Sequence, residues 1–121
     1  LGGASHIDSV DYSASATRAA QDTLAGLPLR VHNSPVEKAS DLTPPGLVVL
    51  DPPRTGAGRG VVEALVAMRP RRIVYVACDP AALGRDTATL GELGYALSGL
   101  RAFDAFPMTA HVECVALLVP E

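Results

Sequence analysis

The chain has 121 residues, the length of one domain, and 48% of them are hydrophobic, as in folded globular proteins. Its formal charge of −3 excludes a strongly basic composition that would by itself attract nucleic acid or membranes, and no apolar run approaches the roughly 20 residues of a membrane span. Only 4% of the residues are aromatic and none is Trp, so we expect a core of Ala, Val and Leu. The two cysteines lie in apolar contexts, which favours free thiols in a reducing cytoplasm.

Strand-like and helix-like segments alternate along most of the chain. The predicted strands cover residues 7–11, 29–32, 47–51, 72–77, 95–102 and 111–118, and the predicted helical segments cover residues 13–25, 35–39, 61–68 and 79–93. Ser13 and the pair Asp79-Pro80 are the clearest helix starts. The alternation predicts an α/β fold with a mostly parallel sheet and helices on both faces. The last two strands follow each other without a helix, so we expect one of them to be antiparallel.

Residues 48–58 form the most distinctive segment, an apolar strand that ends in Asp51, two prolines and Arg54. Prolines cannot continue a central strand, and ligands of open α/β folds bind beyond the carboxyl ends of the strands. A carboxylate there can accept hydrogen bonds from a ligand amine or a base N–H, and a guanidinium can clamp a carboxylate, a phosphate or a base edge. A salt-bridged turn is the alternative. We favour a ligand site, because fold stability does not require this tetrapeptide.

Cys78 is a candidate nucleophile because it lies between a predicted strand and the helix start at Asp79. The helix dipole at that point favours a thiolate, whereas the charge of Asp79 opposes it. The alternative is a small buried hydrophobic residue, as most free cysteines are.

Glu113 and Asp11 are the candidate acids. Glu113 interrupts an apolar run, so it is either a proton acceptor or an outward-facing edge residue, and Cys114 on the opposite face is then expected in the core. Asp11 ends the first strand, where nucleotide-binding α/β units carry an acid for ribose hydroxyls, although a solvated acid near a helix start is an equal alternative. His111 would share the face of Glu113 and is expected to be structural. The sequence shows no paired His/Cys clusters with zinc-ligand spacing, so we expect no metal site.

Three segments, in this order and with this spacing, resemble motifs of the RNA (uracil-5-)-methyltransferase family. These enzymes use S-adenosylmethionine to make 5-methyluridine in transfer and ribosomal RNA. The segments are Leu50-Asp51-Pro52-Pro53-Arg54-Thr55-Gly56, residues 74–86 around Ala77-Cys78-Asp79-Pro80, and residues 103–115 around His111-Val112-Glu113-Cys114-Val115. The resemblance extends back to about Ile7 and so covers most of the chain.

The resemblance implies a Rossmann-like methyltransferase fold with an antiparallel strand at its C-terminal end, S-adenosyl-L-methionine as cofactor and RNA as substrate. It implies a catalytic set in which Cys78 is the nucleophile, Glu113 is the proton acceptor and Arg54 lines the pocket. It also implies cofactor contacts by Asp11 and Asp51, and by an Asn on the loop after the next strand, a position for which Asn33 and Ser34 are the candidates.

The sequence also departs from the family pattern. The glycine-rich first motif is not found in it, Asp79 stands where Asn is commoner, and Cys114 stands where Ser or Thr is commoner. We therefore expect residues 1–121 to be an N-terminally truncated catalytic domain, with an incomplete cofactor pocket and an exposed sheet edge through which copies can associate. Two alternatives stay open: a methyltransferase with other target chemistry, and a non-catalytic α/β binding module.

Overall fold

The protein is described by a computed structural model over residues 4–39, 41–104 and 112–121. The chain divides into two compact units, residues 1–43 and 44–121. None of the helices in the described ranges combines the length and apolar character needed to cross a membrane. In chain order the elements are β1 (Ile7–Asp11), α1 (Ala14–Thr23), β2 (Leu29–Asn33), a 3-10 turn (Val36–Lys38), β3 (Leu47–Leu50), α2 (Arg59–Ala67), β4 (Arg72–Ala77), α3 (Pro80–Glu92), β5 (Tyr95–Phe103) and β6 (Glu113–Pro120).

The first unit is a β-α-β arrangement in which β1 and β2 pair in parallel. Ser13 caps α1 as predicted, because its side chain accepts a hydrogen bond from the Ala16 N–H. The helix ends at Thr23, two residues before the predicted end. The reason is local: the backbone leaves the helical conformation at Leu24, and Gly26 adopts a φ of +87°, which glycine reaches without strain.

Asp8 is the centre of a polar cluster in this unit. Its carboxylate lies 2.9 Å from Nε2 of His32 and 3.3 Å from Nε2 of His6, and it accepts hydrogen bonds from Arg30 Nε at 3.0 Å and the Thr43 N–H at 2.9 Å. Burial by itself raises the pKa of the Asp8 carboxyl, but the hydrogen bonds from His32, Thr43, Arg30 and His6 outweigh it and hold the pKa far below its usual value. Through Asp8, the cluster connects the backbone of Thr43 to β1 and β2.

The second unit is built on a four-stranded sheet in the order β3-β4-β6-β5. β3 and β4 are parallel, and β6 runs antiparallel to both β4 and β5. The expected antiparallel strand at the C-terminal end is therefore confirmed. β5 and β6 are consecutive in the described sequence and are neighbours in the sheet.

The core of the second unit lies along β4, β6 and α3. Its buried residues are Val62, Ile73, Tyr75, Ala77, Leu83, Leu90, Tyr95, Cys114, Ala116 and Leu118. The expectation of a core made of Ala, Val and Leu was wrong, because Tyr75 is fully buried and Tyr95 is 6% exposed. Tyr75 alternates with Ile73 and Ala77 along β4, so strand periodicity places its ring inward despite the low aromatic content.

Several predicted boundaries move by one or two residues. β3 ends at Leu50, so Asp51 follows the strand instead of closing it, and α2 begins at Arg59 after Gly58, whose φ is +83°. β6 begins at Glu113, two residues later than predicted, and extends to Pro120. Residues 105–111, including His111, lie outside the described residues.

The Asp8 cluster predicts an acid-dependent loss of stability. Because the folded-state pKa of Asp8 lies below its unfolded value, its contribution is present above the ordinary value of about 4 and is lost as the pH falls towards the folded-state pKa. We expect Asp8→Asn to lower the melting temperature at about pH 6, and the difference from wild type to shrink below about pH 4. Circular dichroism melts across this range measure it. Asp22→Asn, at an exposed site on α1, is the matched control, and an Asp8→Asn deficit that stays constant with pH would contradict the assignment.

Candidate active site

The pairing of β4 with β6 brings Cys78 and Glu113 to one edge of the sheet. Cys78 directly follows β4, and Glu113 is the first residue of β6. The two strands are antiparallel with Ala77 opposite Cys114, so one further step in this register places Cys78 at the level of Glu113. A thiol and a carboxylate 35 positions apart in sequence (113 − 78) are therefore held by neighbouring strands.

Glu113 and Cys114 lie on opposite faces of β6 because side chains alternate along a strand. Cys114 is 7% exposed and belongs to the core, which confirms its predicted place. Glu113 is half-buried and pairs with Phe103 of β5 on the side away from β4. Both cysteines are free thiols, and Cys78, unlike Cys114, is only partly buried.

Asp51 and Arg54 reach the same edge through β3. Leu50, the last residue of β3, is paired in parallel with Tyr75 of β4, so the chain leaves both strands in the same direction. Asp51 is exposed directly after the strand, and Arg54 is exposed in a turn closed by a hydrogen bond of 2.8 Å from the Gly56 N–H to the Pro53 carbonyl oxygen. The structure therefore groups the second unit's four predicted site residues at one sheet edge.

The start of α3 follows Cys78 at once. Asp79 is its N-cap and accepts a hydrogen bond from the Ala81 N–H at 3.3 Å, and Pro80 occupies the first turn, both as predicted. The cap satisfies one of the unpaired N–H groups at the helix start.

Asp86 on α3 is the residue that sequence reasoning missed. It is 1% exposed, and its carboxylate accepts hydrogen bonds from the Tyr75 hydroxyl at 2.5 Å, the Ala57 N–H at 2.7 Å and the Gly58 N–H at 3.3 Å. A buried donor left without its partner costs about 1–3 kcal/mol, and this cost applies to the buried Tyr75 hydroxyl. Burial, and then the hydrogen bond to Asp86, raises the pKa of Tyr75 well above its ordinary value, so the phenol stays protonated and donates.

The segment of residues 51–58, here called the Pro-Pro-Arg loop, is held closely against α3. Gly56 has a φ of +85°, and a Cβ at this position would lie 2.7 Å from Oδ2 of Asp86. Neighbouring Arg85 donates a hydrogen bond to the Thr55 carbonyl oxygen. Glycine is therefore required at position 56 both by conformation and by the close approach of the helix.

A sequence signal for Asp86 did exist. Asp86 follows Leu83 by three positions and precedes Leu90 by four, so it belongs to the buried face of α3 by helical spacing. An acid on an apolar helix face needs partners, because ionised carboxylates are rarely buried alone.

Asp11 and Asn33 belong to the first unit. They end β1 and β2 and are register partners, so both lie at the carboxyl ends of this parallel pair. Asp11 is exposed, and its Oδ1 accepts a hydrogen bond from the Ser13 N–H at 2.8 Å. With its amide nitrogen facing the backbone, Asn33 donates to the carbonyl oxygens of Asp11 at 3.3 Å and Tyr12 at 3.0 Å.

Known proteins resemble this chain in sequence and in fold. Residues 44–120 match the model of the tRNA (uracil-5-)-methyltransferase family. An uncharacterised RNA methyltransferase of Streptomyces avermitilis is 53% identical over 95 residues, covering 76% of this chain and 22% of that protein. One of Corynebacterium efficiens is 44% identical over 113 residues, covering 93% of this chain and 27% of that protein. The chain thus spans about a quarter of the length of these relatives.

Among solved structures, the tRNA (uracil-54, C5)-methyltransferase of Pyrococcus abyssi in complex with S-adenosyl-L-homocysteine superposes with a TM-score of 0.71 at 31% identity. The match covers 94% of this chain and 28% of that one. This similarity confirms the predicted Rossmann-like methyltransferase fold. The family model covers more than half of the residues, including Asp51, Arg54, Cys78 and Glu113, and the chain therefore belongs to the tRNA (uracil-5-)-methyltransferase family.

Proposed function

We propose that this chain carries the catalytic residues of an S-adenosylmethionine-dependent enzyme that methylates C5 of uracil in transfer or ribosomal RNA through a covalent Cys78–C6 adduct. The observation that carries the proposal is the register of β4 and β6, in which the position after Ala77 lies level with Glu113. A thiol and a carboxylate at one sheet edge are the two groups that this reaction needs. Reduced thiols and RNA substrates fit a cytoplasmic enzyme.

The chemistry explains why both groups are required. C5 of uracil is a weak nucleophile, so the Cys78 thiolate first adds to C6, and the C5–C6 π electrons move onto the C4 carbonyl oxygen as an enolate. When bound, S-adenosylmethionine would supply the electrophilic methyl group that C5 of this enolate takes, and the broken S–CH₃ bond would leave S-adenosylhomocysteine. The Glu113 carboxylate then removes the C5 proton, the C5–C6 double bond re-forms and the S–C6 bond breaks, which returns Cys78 as a thiolate. The target uracil must leave its stack to reach these groups.

Each unit carries strand-end residues to which we assign cofactor contacts. Asp11 presents an exposed carboxylate, steadied by the Ser13 N–H, where ribose hydroxyls can donate to it. The two N–H donors of Asn33 face carbonyl oxygens of Asp11 and Tyr12, so its cofactor contact would use the amide oxygen. Asp51 is exposed beyond β3 and can accept hydrogen bonds from an amine of the cofactor or from the base, and Arg54, which is exposed in its turn, is the proposed contact to the base.

The two cysteines form a matched pair for testing the covalent step. In a complete enzyme that contains this chain, Cys78→Ala is expected to abolish methyl transfer to transfer or ribosomal RNA transcribed in vitro, because no thiolate remains to activate C5. Cys114→Ala removes a thiol from the core and is expected to retain turnover in the molecules that fold. A transcript containing 5-fluorouridine should become covalently trapped on Cys78, since fluorine cannot leave C5 as a proton does. Unchanged methylation by Cys78→Ala would exclude the adduct and favour another target chemistry.

Replacing Glu113 separates adduct formation from adduct release. Glu113→Gln keeps the size of the side chain but removes the proton acceptor, so methylated RNA is expected to remain attached to Cys78 while turnover falls by about 100- to 10,000-fold. Denaturing gel electrophoresis with labelled RNA measures the attached fraction. Glu37→Gln removes a charge at an exposed site of the first unit and serves as control. Wild-type release by Glu113→Gln would assign the base to another residue.

The chain of 121 residues is expected to have little or no activity alone. It spans about a quarter of its relatives, and its sequence carries no glycine-rich first motif for the methionine end of the cofactor. We propose that residues 1–121 are an N-terminally truncated part of the catalytic domain, and copies can associate through an exposed strand edge. Transfer of a tritiated methyl group to RNA by the isolated chain, compared with a complete enzyme, is the measurement. Robust transfer by the isolated chain would show that its cofactor site is sufficient.

A further inference from the structure

We propose that Asp86 is a positioning residue of this active site: its buried carboxylate fixes the Pro-Pro-Arg loop to α3 and thereby sets the place of Arg54 relative to Cys78. The inference rests on the proposed function, because that function gives Arg54 and Cys78 their roles. It goes beyond that function in assigning a task to a buried side chain that the proposed chemistry does not use.

The partners of Asp86 connect the loop, the sheet and the helix. Two donors, the N–H groups of Ala57 and Gly58, belong to the Pro-Pro-Arg loop, and the third is the hydroxyl of Tyr75 in the middle of β4. An ionised carboxylate only accepts hydrogen bonds, so it can satisfy all three donors at once. Bonds to an ionised acceptor are shorter and stronger than neutral ones, which suits a fixed geometry.

Two successive residues of α3 hold the loop, one by binding a backbone carbonyl oxygen and the other by binding a backbone N–H group. Arg85 donates to the carbonyl oxygen of Thr55, and Asp86 accepts from the N–H of Ala57. Gly56, between these two loop residues, lets the backbone come so close that a Cβ would lie 2.7 Å from Asp86 Oδ2. Two opposite hydrogen bonds around a glycine fix the orientation of this stretch of the loop as well as its position.

The same helix begins next to Cys78. Asp86 lies six residues after Pro80, which corresponds to about 9 Å along the helix axis. The Pro53-Arg54-Thr55-Gly56 turn precedes the loop's bonded residue Ala57 directly. A rigid helix thus connects the nucleophile at its start with the loop held at its second turn, and misplacing a catalytic group by 1 Å can cost about 100-fold in rate.

The first test is Asp86→Asn in a complete enzyme. The amide is nearly the same size, but it turns an NH₂ group towards donors that need an acceptor, so the loop is expected to shift. We expect kcat to fall about 10- to 100-fold per folded molecule at a temperature well below unfolding, with KM for S-adenosylmethionine changed less than about threefold. An unchanged kcat in folded Asp86→Asn would overturn the positioning role.

The two buried tyrosines provide a matched control for stability. Tyr75 donates its hydroxyl to Asp86, and its oxygen accepts a hydrogen bond of 3.4 Å from the Ala57 N–H, whereas Tyr95 donates to the Pro70 carbonyl oxygen at 2.7 Å. Tyr95→Phe removes one buried hydrogen bond, and Tyr75→Phe removes the bond to Asp86 together with the weaker one from the Ala57 N–H, so both are expected to lower the melting temperature. Only Tyr75→Phe is expected to lower kcat. Equal kcat values in the two variants would reduce Asp86 and Tyr75 to a structural role. This comparison also answers the question if Asp86→Asn does not fold.

A double-mutant cycle shows whether Asp86 acts through the loop. If Asp86→Asn slows the reaction by displacing Arg54, then adding it to Arg54→Ala is expected to cost little more than Arg54→Ala alone. Fully additive effects on kcat would overturn the coupling. Gly56→Ala, which disturbs the same contact from the loop side, is expected to behave as Asp86→Asn does.

The rate of covalent trapping separates this inference from the proposed function. A transcript containing 5-fluorouridine is incubated with wild-type enzyme and with Asp86→Asn. Trapping by wild type together with slower trapping by Asp86→Asn supports both proposals. Absence of an adduct with wild type would overturn the covalent mechanism itself. Trapping by Asp86→Asn at the wild-type rate would overturn the positioning role and leave the proposed function intact.

Discussion

The carboxylate of Asp86 accepts hydrogen bonds from a strand side chain and from two backbone N–H groups of the Pro-Pro-Arg loop, in a place from which water is excluded. The buried Tyr75 hydroxyl loses its acceptor if Asp86 is lost, and a buried carboxylate without donors is equally unfavourable. The loop, β4 and α3 are therefore interdependent, and the residues that they present at the sheet edge share one frame. A polar interaction inside the core, rather than apolar packing, connects the architecture of the second unit to its chemistry.

The directions of β3, β4 and β6 bring the remaining candidate site residues together. β3 and β4 are parallel, so their C-terminal ends lie on the same side of the sheet and Asp51 and Cys78 follow them there. β6 is antiparallel to β4, so its N-terminal residue, Glu113, lies on that same side. A third parallel strand in place of β6 would enter at the opposite edge and leave its first residue a strand length away. The residues that match the tRNA (uracil-5-)-methyltransferase family, 44–120, include β3, β4 and β6.

The sequence alone was enough to predict the order of elements, the helix starts at Ser13 and Asp79 and the antiparallel strand, because each depends on local signals. It was also enough for candidates at strand ends, such as Cys78. The burial of Tyr75 was not predicted, because the overall aromatic content does not show which face of a strand an aromatic residue occupies. Asp86 was missed because two of its partners are backbone N–H groups. Every residue except proline has such a group, so the sequence does not show which of them will point towards Asp86 until the conformation of the loop is known. The cofactor and catalytic roles of the candidates stay predictions.

The central place of β6 has a consequence for the order of folding. β6 lies between β4 and β5 although it is the last strand of the chain, so it pairs with β4 only through contacts distant in sequence, which form slowly. During synthesis the N-terminal segments emerge first, and a partly made chain therefore contains Cys78 before its carboxylate partner exists. Cys78 and Glu113 become neighbours only when β6 pairs with β4. The topology thus makes their juxtaposition depend on a late, long-range contact.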